Sequence, residues 1–299
     1  MRSARENHVL KIIAATLLSV SLAVPAFAKH RAAQQLFGKV EVRHVFVVVL
    51  ENADLAAAVQ QPYLGYLARH GTLMTNYHGV AHPSQPNYIA MTAGDTLGVT
   101  SDDPVTVDAT NLGDLLDAKS VSWRVYAENY PGDCFTGNQF GDPASGQYTR
   151  KHMPFISYAD IATNPARCNA DIVNANTLDA DVYTDKLPQV SFYIPNSYDD
   201  GHQTSVQFAD AWLRSRFDGF LSDPRFIYGT LFVVVFDESE TKSPNLVYCS
   251  FFGAGVKEGA TSTENVDHYS LLRTIEDLFH LGTLNRRDAA ESPISSIWH

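Results

Sequence analysis

Four short stretches of the chain are apolar at nearly every position and rich in β-branched or aromatic residues: His44 to Leu50, Trp123 to Ala127, Val190 to Ile194 and Leu231 to Phe236. Continuous apolar runs this short, bounded by polar segments, predict strands buried on both faces. Between them the spacing changes to the helical period. Tyr63, Leu64 and Leu67 form one apolar face that stops at Gly71; Phe208, Trp212 and Leu213 form a second. Leu271, Leu272, Ile275, Leu278 and Phe279 form a third, which stops at Gly282. Strands alternating with helices predict an α/β fold, a three-layer sandwich with a mainly parallel central sheet. No repeat, linker or low-complexity tract interrupts residues 29–299, which are expected to form a single domain.

Each predicted strand runs into carboxylates or amides: Glu51-Asn52, Glu128-Asn129, Asn196 and Asp237-Glu238. A solvated turn would explain any one of these. Four together point to a site, because parallel strands end at one edge and a carboxylate beside a buried strand is costly unless paired or bound to a metal. Hard oxygen donors at 51, 52, 237 and 238 suit Ca²⁺, Mg²⁺ or Mn²⁺, with Zn²⁺ not excluded.

His82-Pro83-Ser84-Gln85-Pro86-Asn87-Tyr88 precedes the apolar Ile89-Ala90-Met91. Pro86 suits a first helical turn, so Ser84 sits near a helix N-terminus, either as a plain cap or as a nucleophile beside free N–H groups that favour an anion. The Gly-x-Ser-x-Gly nucleophile elbow is absent, which argues against a metal-free serine hydrolase of that type. His82 is placed as a general acid, best suited to mildly acidic pH, or as a histidine satisfied near the core. Arg150-Lys151-His152 is a cationic cluster that reads as a clamp on phosphate oxygens or as a solvated turn.

Composition narrows the class. With 22 Lys+Arg against 33 Asp+Glu among 299 residues, the net charge of −11 disfavours a nucleic-acid partner. Arg2, Arg5 and Lys11, the apolar run Ile12 to Val24 and Ala26-Phe27-Ala28 read as a signal peptide over residues 1–28, predicting a secreted or periplasmic protein. Its removal leaves a net charge of −13 and no segment able to span a membrane. Of the three cysteines, Cys249 lies in an apolar run and is expected to be a buried free thiol. In an oxidising compartment, Cys134 and Cys168 are expected to form a disulfide across a loop, in preference to free thiols or a zinc pair.

These pieces together resemble the bacterial phosphoesterase family of acid phosphatases and phospholipases C, within the alkaline phosphatase superfamily, and most of all its mycobacterial-type secreted acid phosphatases. The likeness is carried by Val-Leu-Glu-Asn at 49–52, the His-Pro-Ser-Gln-Pro-Asn-Tyr at 82–88 and Tyr-Thr-Arg-Lys-His-Met-Pro-Phe at 148–155. It continues through Ile194-Pro195-Asn196, Asp200-Gly201-His202, Asp237-Glu238 and His268-Tyr269. The resemblance implies an alkaline-phosphatase-like fold, with Ser84 forming a phospho-enzyme and Asn87 donating to the phosphoryl oxygen. It also implies metal binding by Glu51, Asn52, Asp237 and Glu238. Asp200, His202 and His268, with Asn196, fall where a second metal or substrate-facing side chains are expected. Here the acid that commonly follows the histidine is replaced by Gln203, so a complete two-metal site is not implied.

The expectation is therefore a secreted, metal-dependent acid phosphatase acting on phosphomonoesters through a phosphoserine, on a small phosphorylated substrate or a phospholipid or phosphoinositide. A phospholipase C or phosphodiesterase of the same family is the alternative. A silent phosphate-binding periplasmic protein is a third, disfavoured because a binder has no need of Ser84.

Overall fold

The computed structural model describes residues 41–299, so the expected signal peptide at 1–28 lies outside the described residues. Eight strands form the central sheet: β1 (His44–Leu50), β2 (Thr72–Met74), β3 (Trp123–Ala127), β4 (Ile172–Asn174), β5 (Val190–Ile194), β6 (Thr230–Phe236), β7 (Cys249–Gly253) and β8 (Ala260–Ser262). Their spatial order is β8-β2-β7-β6-β1-β5-β3-β4. Every pairing is parallel except the two made by β7. The four longest apolar runs thus lie side by side at the centre, where burial on both faces suits unbroken Val, Ile and Phe.

Four helices of nine residues or more flank the sheet: α1 (Pro62–His70), α2 (Ser84–Ala93), α3 (Val206–Leu221) and α4 (His268–Leu278). Side chains alternate across each strand, so Phe46, Tyr126, Tyr193 and Phe232 share one face, where Phe46, Tyr193 and Phe232 pack around Phe217 of α3 and Tyr126 stacks on Phe46. Trp123 and Phe192 point the other way and pack on Phe155. Each fully buried aromatic contributes about 1.5–3 kcal/mol of apolar burial. The buried face of α3 is Ala209, Leu213, Phe217 and Phe220. Phe208 of the predicted face is exposed and packs edge-on against Tyr198 instead, because the true stripe is centred one position further round the helix. No helix among the described residues is long and apolar enough to cross a membrane.

Register brings the polar strand ends together. Leu50 pairs with Phe236, so Glu51 and Asp237 leave the sheet side by side, and the Asp237 N–H donates to Leu50 O at 3.0 Å. Ala127 pairs with Ile194, which sets Glu128 beside the Asn196 loop.

Cys134 and Cys168 form the expected disulfide, with Cα atoms 5.7 Å apart, and Cys249 is a buried free thiol. The bridge spans 34 positions of chain, and closing such a loop removes denatured-state entropy worth about 3–4 kcal/mol. Reducing agent, or Cys134→Ser, should lower the thermal midpoint by several degrees, and an unchanged melt would show that the bridge adds no stability.

Glu276 on α4 is fully buried, with no hydrogen-bond donor for either carboxylate oxygen. Burial, then repulsion from Asp288, pushes its pKa up to about 9. The folded protein therefore retains this proton between about pH 4.5, where the unfolded chain loses it, and about pH 9, so stability falls as pH rises through that window. Glu276→Gln, which carries its own N–H, should lose less stability than wild type between pH 5 and pH 9 in chemical denaturation. Parallel pH profiles would refute this.

Candidate active site

The site is built at the edge where β1 and β6 end. Glu51 follows β1 directly, and Asn52 takes the left-handed conformation at φ 51°, which asparagine tolerates, so the chain turns sharply there. The Asn52 N–H donates to Asp237 Oδ1 at 3.2 Å, and the Glu51 N–H donates to Asp200 O at 3.0 Å, stitching three segments together. The positive φ of 103° at Gly201 turns the backbone between Asp200 and His202, and the His202 N–H donates to Asp200 Oδ1 at 2.7 Å.

Ser84 is the first residue of α2 rather than its cap, and its Oγ donates to Glu51 Oε2 at 2.9 Å and approaches Glu238 Oε1 at 3.4 Å. The Tyr88 hydroxyl, one turn on, donates to Glu51 Oε1 at 2.5 Å. His82 Nδ1 lies 2.6 Å from Glu238 Oε2, not aligned as a hydrogen bond. His152 is buried and stacked on Tyr88, with Nε2 3.3 Å from Glu51 Oε1 and Nδ1 3.1 Å from Asp200 Oδ2, neither aligned as a hydrogen bond.

Four carboxylates, Glu51, Asp200, Asp237 and Glu238, are thus buried together. Burial, then Asp237 and Asp200, holds Glu51 well above the usual carboxylate range. Burial lifts Asp200 to about 8 against the opposing His202 N–H, and Asp237 to about 7 against the Asn52 and Glu238 N–H groups. Burial and Asp237 lift Glu238 to about 8. Burial also lowers the pKa values of His82, His152 and His202, so none of the three is a ready counter-charge. Asn52 Oδ1, Asp200 Oδ2, Asp237 Oδ2, Glu238 Oε2 and both ring nitrogens of His152 are buried without a hydrogen-bond partner. Clustered unneutralised oxygen donors fit a divalent cation. Glu51, His152 and His202 also offer ligand atoms within 4.8 Å of one another, a mixed nitrogen and oxygen set that shares Glu51 with the first.

Several residues named from the sequence take other roles. Asn87 accepts from the Val80 and Ala81 N–H groups and donates to Ala81 O and Pro83 O, so its amide braces the turn before Ser84 and has no donor left for a phosphoryl oxygen. Arg150 donates to Thr136 O, Val105 O and Thr106 Oγ1, which takes it out of the clamp. His152, buried beside Glu51, is not a surface cation either, and Lys151 alone remains of that cluster. His268 donates from Nε2 to Asp237 O at 2.6 Å and receives the Tyr77 hydroxyl on Nδ1, so it stands behind the site and positions Asp237. Asn196 donates to Glu128, Asn129 and Asp199 at 2.7–3.0 Å, bracing the loop that presents Asp200 and lining a separate polar pocket of about 380 Å³. Two of the four polar strand ends therefore meet at Ser84, and the other two meet each other.

The α2 terminus is also not an open anion cradle. Asp102 accepts from the Gln85 N–H at 3.0 Å, and Pro86 has none to offer. Asp102 and Tyr88 were missed from the sequence. Tyr88 sits inside a quoted motif, four residues from the serine, a spacing that could have placed it on the same helix face. Asp102, in an ordinary Ser-Asp-Asp turn, carries no signal.

The chain matches the Phosphoesterase family over residues 55–282 and belongs to it. It is 36% identical over 251 residues to a probable acid phosphatase of Kluyveromyces lactis, covering 80% of this chain and 59% of that one. It is 32% identical over 300 residues to a phosphatidylinositol-3-phosphatase of Mycobacterium tuberculosis, covering 98% of this chain and 94% of that one. The chain spans about three fifths of the length of the fungal relatives it matches. In fold it is similar to an alkaline phosphatase superfamily protein from Vibrio parahaemolyticus, with a TM-score of 0.54 at 13% identity over 85% of this chain and 80% of that one.

The cation reading is tested by calorimetric titration of chelator-treated protein with Mg²⁺, Ca²⁺ or Mn²⁺. Binding is expected, and Glu51→Gln, Asp237→Asn and Glu238→Gln should each weaken it by at least about tenfold. Undiminished affinity in all three variants would overturn the ligand assignment.

Proposed function

We propose that this phosphoesterase-family chain is an exported, metal-dependent acid phosphatase that hydrolyses phosphomonoesters through a phosphoserine on Ser84. The observation that carries the proposal is the Ser84 hydroxyl, held 2.9 Å from Glu51 on the floor of a cluster of four buried carboxylates. The names of the fungal and mycobacterial relatives support it.

Glu51, Asn52, Asp237 and Glu238 would hold a divalent cation, which when bound lowers the pKa of a hydroxyl and polarises a phosphoryl oxygen. Glu51 accepts the Ser84 proton, and Tyr88 fixes the orientation of the Glu51 carboxyl. Ser84 Oγ forms the new bond to phosphorus as the bond to the leaving oxygen breaks. His82, whose Nδ1 lies beside Glu238, has an unpartnered Nε2 and would protonate the leaving alcohol only after taking up a proton from acidic solution, because burial lowers its pKa. Lys151 at the rim balances the negative oxygens of the transferred group. Water then displaces Ser84 and releases phosphate, regenerating the hydroxyl.

One observation favours a lipid-linked ester as a second reading of the substrate. An apolar groove of about 400 Å³, lined by Leu55, Val59, Leu73, Pro244 and Leu246, opens between Asp54 and Ser239, which closely follow Asn52 and Glu238 in sequence. A groove of this character suits the apolar part of a lipid-linked substrate, and the mycobacterial relative is named a phosphatidylinositol-3-phosphatase.

Ser84→Ala should reduce turnover of an aryl phosphomonoester by several orders of magnitude while leaving phosphate affinity within a few fold, since only the covalent step is removed. Acid quench of wild type with ³²P-labelled substrate should leave label on the peptide containing Ser84. Label on a histidine peptide, or near-normal turnover by Ser84→Ala, would replace the phosphoserine route with direct attack by water.

A further inference from the structure

Lys151 is the cation left at the rim of the carboxylate cluster once Arg150 is seen to serve carbonyl groups. A flexible ammonium beside four unneutralised acids should fold down onto them, where it would compete with a bound cation and be lost to the substrate. It does not. Its Nζ lies 2.7 Å from Asp102 Oδ2 and 3.4 Å from His202 Nε2, and its side chain is largely buried.

The other oxygen of Asp102 accepts the Gln85 N–H in the first turn of α2, one residue after Ser84. Gln85, itself buried, grips the loop on both sides of Asp102 by donating from Nε2 to Ser101 O at 2.9 Å and Asp103 O at 2.7 Å. A plain helix cap needs one oxygen, and a plain surface ion pair needs no such grip. Here one carboxylate spans both tasks.

We infer that Asp102 is a positioning residue that fastens the Lys151 ammonium to the turn carrying Ser84, holding it over the transferred phosphoryl group and away from the metal-binding carboxylates. The inference rests on the reading of Lys151 as a phosphoryl partner. An ammonium has three protons. With one directed at Asp102 and one at His202, the third is free for a phosphoryl oxygen.

The test is a double-mutant cycle with Asp102→Asn, Lys151→Met and the double variant. It is read by calorimetric binding of inorganic phosphate and by kcat and KM on an aryl phosphomonoester. The amide introduced by Asp102→Asn keeps an oxygen for the Gln85 N–H, and Asp102→Ser, also a helix cap without charge, repeats the test should the first variant fail to fold. Asp102→Asn should weaken phosphate binding by about tenfold to hundredfold and raise KM by a similar factor, since a charge-assisted contact is lost. The double variant should bind no worse than Lys151→Met alone, because Asp102 acts through the lysine. Phosphate affinity unchanged in Asp102→Asn, or single losses that multiply in the double variant, would overturn the inference, as would wild-type protein that binds no phosphate. Wild type that binds phosphate yet turns over no ester would overturn the reading of the reaction, and the binding cycle would then decide the inference alone.

Discussion

The site is organised by an imbalance of charge: Glu51, Asp200, Asp237 and Glu238 lie buried within one cluster whose histidines, His152 and His202, are made harder to protonate by that same burial. Carboxylates in this position either keep their protons or meet a cation, and the raised pKa values of all four follow from that choice. Ser84 belongs to the same cluster through its contact with Glu51, so the proposed nucleophile and the proposed cation ligands share that residue.

Around it, neutral polar side chains hold the backbone in place. Asn87 ties the turn before Ser84, Asn196 ties the loop that presents Asp200, and His268 with Tyr77 fixes the Asp237 carbonyl from behind. Buried amides and a neutral imidazole suit this work because both donor and acceptor are satisfied without adding charge to a place that already has too much. Their truncation would blur the geometry of the reacting groups without removing a reacting group. The same economy explains why Arg150, adjacent to Lys151 in sequence, is turned onto carbonyl oxygens while Lys151 faces the site.

Much of the fold was legible because the central strands are apolar at every position, a pattern that requires cover on both faces, and the helical stripes between them supply that cover. Of the expected α3 face, Leu213 is buried and Trp212 packs on Tyr193 and Phe217, but Phe208, equally apolar, lies outside the buried stripe, which is fixed by the packing of Phe217 against Phe46 and Phe232. At the candidate site, the convergence of Ser84, Glu51, Asp237 and Glu238 could be anticipated from strand ends and a helix start. Asp102 was not, since an acid in a Ser-Asp-Asp turn looks like any solvated loop until Gln85 and Lys151 are seen on either side of it.

The sequence by itself determined the family that the chain belongs to, the alternation of strands and helices and the polar residues that end each strand, because these depend on local pattern and motif order. Tertiary structure decided which polar groups meet. The pairing of Leu50 with Phe236 sets Glu51 beside Asp237, while the pairing of Ala127 with Ile194 sends Glu128 to a separate pocket, although the two strand ends look alike as sequence. It also decided what each amide and cation does, since a side chain's role depends on which partners lie within about 3 Å, a matter of chain segments brought together from more than a hundred positions apart.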